Sequence, residues 1–475
     1  MKRKLSVIAA MCYLLPLCSF ADNPQIIVGD YYTIKNKPMP LLAISQTENN
    51  WTYPTLPELT NDRLGVDFSS ASCNSKFCAA VGTTNLDQNP KYNPLIAVSF
   101  DHGNQWSYIS KLGEKDNFPG QTSSVSCTNN LCVAVGTDIQ KGYHPYMPLL
   151  TVGHGNEWNI PSSVINNLPS DFIEGDFGYV TCNKSFCIAA GEYDSKDGHS
   201  YPLVAVSYDK DKVHWTYSSS IAATLPKDVE LTDVFGLNCT DKVCIISGLY
   251  RLPSDKQIAF LATSYDKGKT WTFPTDISSK LPDSDDSRLD KVNCYKDLCV
   301  AVGSYYSNQD RKVLNYIPLI AVSHDSGKTW SYVNDLGNKL PLGYDNGEFW
   351  NIGCNEKLCL AGGQLSVNNH YGPFLMYSKD QGNTWSMLNE LPKDYVDGGD
   401  FTGGVNCSDT TCFAVGNYRN TSQRFVPLLV STQDGNTWSY PSSVIDNLPQ
   451  DFMYTNFLHT DSYSNGLMAH KKHKV

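Results

Sequence analysis

Pro318 to Tyr332 reads PLIAVSHDSGKTWSY, and most of the chain is built by rewriting that stretch. Pro94 to Tyr108, PLIAVSFDHGNQWSY, matches it at eleven of fifteen positions. Related copies end at Trp51, Trp158, Trp215, Trp271, Trp385 and Trp438, which makes eight copies spaced 52 to 59 residues apart. A period of that length belongs to solenoids, propellers and arrays. Within a copy, PLIAVS is an apolar run of strand length rich in β-branched residues, and WSY, WTY or WTF opens another strand. Between them lies a turn. Asp325 can accept hydrogen bonds from the backbone N–H groups ahead of it, and Gly327 can take a positive φ without steric cost. Trp330 brings a large flat side chain to bury between layers.

A second motif shares the period. Of sixteen cysteines, Cys12 and Cys18 lie near the N-terminus, and the other fourteen form pairs of one spacing: Cys73/Cys78, Cys127/Cys132, Cys182/Cys187, Cys239/Cys244, Cys294/Cys299, Cys354/Cys359 and Cys407/Cys412. Each sits in a pattern like Val-x-Cys-x4-Cys-x-Ala-Val-Gly, which reads as strand, short polar turn, strand. Cysteines facing one another across such a hairpin come within disulfide range. The rival reading is zinc, which needs four ligands, and seven pairs do not divide into four-cysteine sites. Disulfides are expected, each closing a short loop and contributing roughly 2 kcal/mol. No metal site and no cofactor motif is expected.

Each full copy then holds four strands. Strand a ends at the first cysteine, b starts at the second, c is the PLIAVS run and d begins at the tryptophan. Four antiparallel strands per repeat describe a propeller blade. The N-terminal copy has only b, c and d: Ile26 to Tyr32, Pro40 to Ser45 and Trp51 to Tyr53. Asp451 to Leu458 follows Leu448-Pro449 as Asp171 follows Leu168-Pro169, so it is expected to supply the missing strand a and remove the open edge. The expected fold is all-β, a single β-propeller over residues 22–460, with eight blades, or seven if the terminal pieces do not pair.

The pattern Ser-x-Asp-x-Gly-x-Thr-Trp resembles the Asp-box (BNR) repeat of sialidase-like and sortilin-like β-propellers. It is intact at Ser264 to Trp271, Ser323 to Trp330 and Ser378 to Trp385. Ser99 to Trp106 carries Gln105 in the Thr place, and Ser431 to Trp438 has its acid one residue late, at Asp434. The copies ending at Trp51, Trp158 and Trp215 look degenerate. The resemblance implies a structural role for Asp101, Asp266, Asp325 and Asp380. It also implies what an active relative would need: three arginines around a carboxylate, a Tyr–Glu nucleophile pair and an Asp acid/base. Tyr250-Arg251-Leu252-Pro253 is similar to the family's first-arginine motif, but it lies mid-chain.

Residues 1–21 read as a secretory signal: Lys2, Arg3 and Lys4, an apolar run from Leu5 to Leu17, then Ser19-Phe20-Ala21. No later stretch is long enough to span a membrane as a helix. Cleavage near Ala21 removes three cations and takes the net charge from −11 to −14, which argues against nucleic acid and anionic membranes. With 41% hydrophobic and 12% aromatic residues, the remainder can bury a core. Residues 461–475 read as a flexible basic tail. The expected product is a secreted monomer, in the periplasm or the medium.

Alternation puts the a–b and c–d turns on one face and the longer b–c and d–a loops on the other, where binding residues usually sit. An acid or amide, usually followed by Phe, recurs before strand a: Asp67-Phe68, Asn117-Phe118, Asp176-Phe177, Asp233-Val234, Glu348-Phe349, Asp400-Phe401 and Asn456-Phe457. These either cap the loops or ring the mouth of a channel. Arg63, Arg251, Arg288, Arg311, Arg419 and Arg424 map to the same face, with Arg251 and Arg419 at one repeat position. The candidate binding residues are therefore Arg251, Arg419, Asp67, Asp176, Asp233, Glu348 and Asp400, gripping a protein or glycan. The alternatives are a sialidase-like glycoside hydrolase and a structural envelope or matrix component.

Overall fold

In a computed structural model, the described residues are 25–45, 50–58, 63–86, 92–113, 119–128, 130–139, 145–273, 277, 286–306 and 316–459. The expected signal peptide and the tail 461–475 lie outside them. The fold is all-β and is a β-propeller. Its strands follow the repeat: in the fourth copy Phe172–Cys182, Cys187–Ser195, Ser200–Ser207 and Thr216–Tyr217 pair antiparallel in that order.

The cysteine hairpins behave as the pattern requires, with Cys182 directly opposite Cys187. All seven disulfides form: Cys73–Cys78, Cys127–Cys132, Cys182–Cys187, Cys239–Cys244, Cys294–Cys299, Cys354–Cys359 and Cys407–Cys412, with Cα atoms 4.0 to 4.1 Å apart. The two cysteines of a pair differ in burial: the first is partly exposed, except Cys354 in the seventh copy, which is buried. The second cysteines, Cys78, Cys132, Cys187, Cys244, Cys299, Cys359 and Cys412, are all buried. The reason is that strand b enters the interior at once: Cys78 is followed by Ala79, Ala80 and Val81, none of them accessible. These seven cysteines are staples of the core and form no part of a surface that a ligand could reach.

Ring closure follows the terminal sequences. Strand Gln25–Thr33 pairs with Pro38–Ser45 on one side and with Phe452–His459 on the other, with Asp30 opposite Phe457 and Val28 opposite His459. Strands a touch in series: Arg63–Cys73, Gly120–Thr128, Phe172–Cys182, Leu231–Cys239, Asp286–Tyr295, Tyr344–Cys354, Tyr395–Cys407 and Phe452–His459. The last of these contacts the first, so no sheet is left at the end of a row. Strand d is short throughout. In the fifth and eighth copies it is a single bridge, Thr263–Thr272 and Ser431–Ser439. The fifth and sixth copies are linked into one seven-stranded sheet by a parallel bridge between Gln257 and Asp286.

The core lies between neighbouring sheets. Trp215 is fully buried with Phe177, Leu203 and Ala205 of its own copy and with Val133 and Leu150 of the preceding one. Trp51, Tyr31 and Leu41 of the first copy pack with Phe413, Leu428 and Val430 of the eighth.

The turn before each tryptophan is tied by its own side chains. In the sixth copy Asp325 accepts from the backbone N–H groups of Lys328 (3.0 Å) and Thr329 (2.9 Å) and from the Thr329 hydroxyl (2.7 Å). The Gly327 N–H donates to the Ser323 hydroxyl at 2.8 Å, and the Trp330 indole N–H donates to the Gly327 carbonyl at 3.1 Å. Gly327 sits at φ 79°, the left-handed conformation that the turn demands. Asp266 and Asp380 each accept from the backbone N–H and the hydroxyl of the matching threonine, and Asp101 accepts from Gln105 N–H at 2.8 Å. These bonds hold Asp266, Asp325 and Asp380 below the usual carboxylate range, against a desolvation that works the other way.

One of the degenerate copies keeps part of the turn's bonding. In the fourth, Asp209 accepts from the Ser207 hydroxyl and from Val213 N–H (2.8 Å), and Trp215 donates to the Lys212 carbonyl at 2.7 Å. One extra residue hides the pattern from a fixed spacing. Lys212, at φ 55°, stands where the glycine should be.

Candidate functional site

The d–a end of strand a carries the residues singled out for binding. In seven copies the strand bulges just after the acid–Phe pair, or near it, and the carbonyl before the bulge presses on a strand-b glycine. A Cβ at Gly82, Gly136, Gly191, Gly248, Gly303, Gly363 or Gly416 would overlap the carbonyl of Asp67, Gln121, Asp176, Asp233, Arg288, Glu348 or Asp400, respectively. Those seven residues share one structural position. One assignment shifts and one is added. In the third copy the position belongs to Gln121, not Asn117, because Thr122 rather than Phe118 pairs with Gly136. Asn117 and Phe118 themselves lie outside the described residues. In the sixth copy the position belongs to Arg288, followed by Leu289 in place of Phe. In the first copy Asn456 is on the closing strand, but its side chain is not among those described.

The acids are not equivalent. Asp176 lies opposite Glu192 in the pairing of strands a and b and accepts from the Thr137 hydroxyl at 3.2 Å. Glu192 accepts from the backbone N–H of Val234 at 3.0 Å, in the next copy. Burial raises the Glu192 carboxyl well above its ordinary range, and the charges of Asp233 and Asp176 add to the effect. Burial also pushes Asp176 up to about 6, against the Thr137 hydrogen bond. Asp233 goes up to about 6 for the same reason, with Arg251 pulling it down. Desolvation lifts Asp67 to about 6, although its side chain keeps contact with solvent and screening weakens the effect. Asp400 is raised by burial and held by Thr402 and Asn417.

A second group surrounds Arg288. Its guanidinium lies 3.1 Å from Asp290 and also grips Glu348 of the next copy. Asp290 is pushed up to about 7: burial dominates, Arg288 opposes it and Glu348 reinforces it. Sequence reasoning missed Asp290 and Glu192. Asp290 is the extra residue of a bulge, which the repeat pattern leaves variable. Glu192 follows its glycine where other copies carry Thr83, Thr137, Leu249 or Ser304, and that departure was the available signal.

The arginines do not share a carboxylate among these contacts. Arg251, half-buried at the end of strand Cys244–Arg251, lies 4.0 Å from the exposed Asp255, Arg419 is clasped by Asp397, and Arg288 has Asp290 and Glu348. Arg424 is exposed. Arg311 and the Arg63 side chain lie outside the described residues. Tyrosines two residues after the strand-b glycine donate to the aspartate that precedes strand a: Tyr31 to Asp451 (3.2 Å), Tyr193 to Asp171 (3.5 Å) and Tyr418 to Asp394 (2.8 Å). That repetition marks them as ties between strand b and the d–a turn. Among the described residues no group of three or more His, Cys, Asp or Glu is placed to hold a metal ion. None of their helices is long and apolar enough to cross a membrane.

A carboxyl that titrates near neutrality can donate or accept a proton under ordinary conditions, and it can also meet a cationic or hydroxyl-bearing ligand. Both kinds of chemistry are open to the Asp176–Glu192–Asp233 group.

No known family's sequence profile matches the chain. A sialidase of Paraclostridium sordellii is 28% identical over 155 residues, a match that spans 28% of this chain and 38% of that protein. Among solved structures, a Trypanosoma rangeli sialidase in complex with 2,3-difluorosialic acid has a TM-score of 0.38 at 10% identity, over 76% of this chain and 59% of that one. The phage phi92 endosialidase has a TM-score of 0.38 at 11% identity, over 80% of this chain and 66% of that one. The chain thus spans less than two thirds of the length of these sialidases.

Proposed function

We propose that this chain is an exported, eight-bladed Asp-box propeller that binds a protein or glycan on its b–c/d–a face without turning it over. One observation carries the reading: among the described residues Arg288 and Arg419 are each clasped by separate acids, and Arg251 lies 4.0 Å from a third, Asp255. A sialoside carboxylate would need arginines that converge on it. The acid-lined inner end of the copies around Asp176, Glu192 and Asp233 instead favours a ligand that presents amines, cationic side chains or hydroxyl groups. Arg251 lies beside it and lowers Asp233, and Arg419 stands at the matching position of the eighth copy. The seven disulfides support export, since such bonds persist in oxidising compartments.

The test is a binding screen on immobilised oligosaccharides, amino-sugar polymers and cationic peptides, beside an assay on a fluorogenic sialoside. Binding without sialoside turnover is expected. Asp233→Asn with Glu192→Gln is expected to weaken it, and Arg251→Glu with Arg419→Glu to alter it. Binding indifferent to all four changes in a folded protein removes the assignment of this face.

A second reading is a glycoside hydrolase, favoured by the raised Glu192 beside Asp176 and Asp233. Glycosidases work with paired carboxyls, one protonated at neutral pH. Turnover of any fluorogenic glycoside that Glu192→Gln abolishes would establish it in place of the first.

A further inference from the structure

In each Asp-box turn the residue between the serine and the aspartate points out of the protein. Ser207, Ser264 and Ser323 are buried and donate to Asp209, Asp266 and Asp325, whereas Tyr208, Tyr265 and His324 between them are exposed. The turn makes no use of that side chain, and in the seventh copy the exposed Lys379 fills the place. Yet three copies put a large aromatic there: Phe100, Tyr208 and Tyr265 keep 53%, 39% and 45% of their surface exposed. Aromatic rings left in water where any polar residue would serve are a mark of surfaces that a ligand covers.

The two tyrosines each lean on the turn of the following copy. The Tyr208 hydroxyl donates to the Lys267 carbonyl at 2.9 Å, and the Lys269 ammonium lies 5.4 Å from the centre of its ring. One copy on, Tyr265 and Lys242 line a cleft of about 370 Å³ with Asp297, Asp325, Ser326 and Lys328 of the sixth copy. Lys328 stands where Lys269 stands, two residues before its tryptophan. An exposed tyrosine beside a lysine thus recurs at two successive junctions. The acids of the cleft are already engaged. Asp297 accepts from Lys242 at 2.6 and 2.8 Å and from the Ser326 hydroxyl at 2.6 Å, and Asp325 is filled by its own turn. The cysteine and Asp-box turns of the fourth to sixth copies hold eight lysines and six aspartates, in a chain whose net charge is −11. This sector is therefore locally cationic on an acidic protein, and it favours an anion.

We propose that this sector of the Asp-box face is a second binding surface, one that takes an acidic polysaccharide. The C–H faces of its sugar rings lie on Tyr208 and Tyr265, and their carboxylate or sulfate groups meet Lys269 and Lys328. A polymer suits the arrangement because the surface itself repeats: weak contacts at adjacent copies act together when one chain supplies both partners. The surface is independent of the b–c/d–a face and uses neither Arg251 nor the buried acids around Glu192.

Electrophoresis of the whole protein through native gels containing dextran sulfate, polygalacturonate or neutral dextran tests the proposal. Retardation by at least one charged polymer and none by dextran is expected, and the polymer that retards distinguishes sulfate from carboxylate. Tyr208→Ala with Tyr265→Ala is expected to weaken binding several-fold, and Lys269→Glu with Lys328→Glu to abolish it, both at an unchanged Tm. If the tyrosine variant misfolds, the lysine pair decides alone. Lys227→Glu with Lys256→Glu makes the same charge change at exposed positions of the opposite face and is expected to leave binding as it was. Retardation by neither charged polymer, or equal retardation by dextran, overturns the proposal. So does wild-type binding by a folded tyrosine or lysine variant, or an equal loss in the opposite-face control.

Discussion

The Thr455 hydroxyl donates to the Asp30 carbonyl at 2.8 Å, in a buried contact between residues 425 apart in the chain. It lies where the last strand joins the first sheet, so it bonds the two chain ends directly. Thr455→Val keeps the shape and removes the donor. Leaving a buried carbonyl with one partner fewer costs about 1–3 kcal/mol. The variant is expected to unfold at lower denaturant with an unchanged slope. Stability equal to wild type would mean that the closure does not limit unfolding.

The glycine on strand b is required by backbone contact, not by a turn. A Cβ at Gly363 would overlap the Glu348 carbonyl. Gly363→Ala must push strand a inward or break the bulge, and overpacking of this kind costs about 3 kcal/mol. Gly337→Ala, where nothing lies within 4 Å, is the matched control and is expected to leave Tm almost unchanged. Thermal melts of the two variants decide it.

Asp325→Ala removes the acceptor for two backbone N–H groups and two hydroxyls, those of Ser323 and Thr329, in a turn that positions Trp330. A loss of about 1–3 kcal/mol is expected, with ligand binding on the opposite face intact. Loss of binding with the fold preserved would place function on the disulfide face.

The buried acids set an unusual pH response. Asp176 and Asp233 titrate near 6 and Asp290 near 7, above their unfolded values, so the folded chain holds more protons between about pH 4 and 7. Their contribution is therefore fully present below about pH 4 and lost as pH rises through 6 and 7. Asp266, Asp325 and Asp380 are shifted the other way, and their stabilisation fades as pH falls below the usual carboxylate range. Tm is expected to peak near about pH 4–5 and to fall toward about pH 8, by roughly 2–4 °C per kcal/mol. Glu192→Gln is expected to flatten that fall. A melting temperature that climbs steadily from mildly acidic to mildly alkaline pH contradicts the desolvation of these groups.

Much of this was legible because the repeat is written in residues whose backbone demands are local. Ser323, Asp325, Gly327 and Trp330 name one another within a single turn, and each cysteine pair spans a hairpin too short to allow another partner. What the spacing of a pair such as Cys78 and Cys73 does not tell is that one partner is buried and the other is not, since that depends on the neighbouring sheet. The candidate site was harder to read. Asp67, Asp176, Asp233, Glu348 and Asp400 were found through their neighbouring Phe or Val, and the same rule failed at Gln121 and Arg288, where Thr122 and Leu289 replace the aromatic. The disguised turn at Asp209 failed for a related reason: one inserted residue preserves the hydrogen bonds and destroys the spacing.

By itself the sequence determined the unit, its four strands, its disulfides and the pairing of the two chain ends, because these depend on residues close together or on an exact periodic pattern. Tertiary structure alone decided which acids face one another. Glu192 rises because protein replaces the water around it, and because Asp233 and Asp176, from two different copies, add their charges; among the described residues Arg251, Arg288 and Arg419 each lie against different acids. Desolvation and charge pairing across sheets have no signature in the order of residues along one strand.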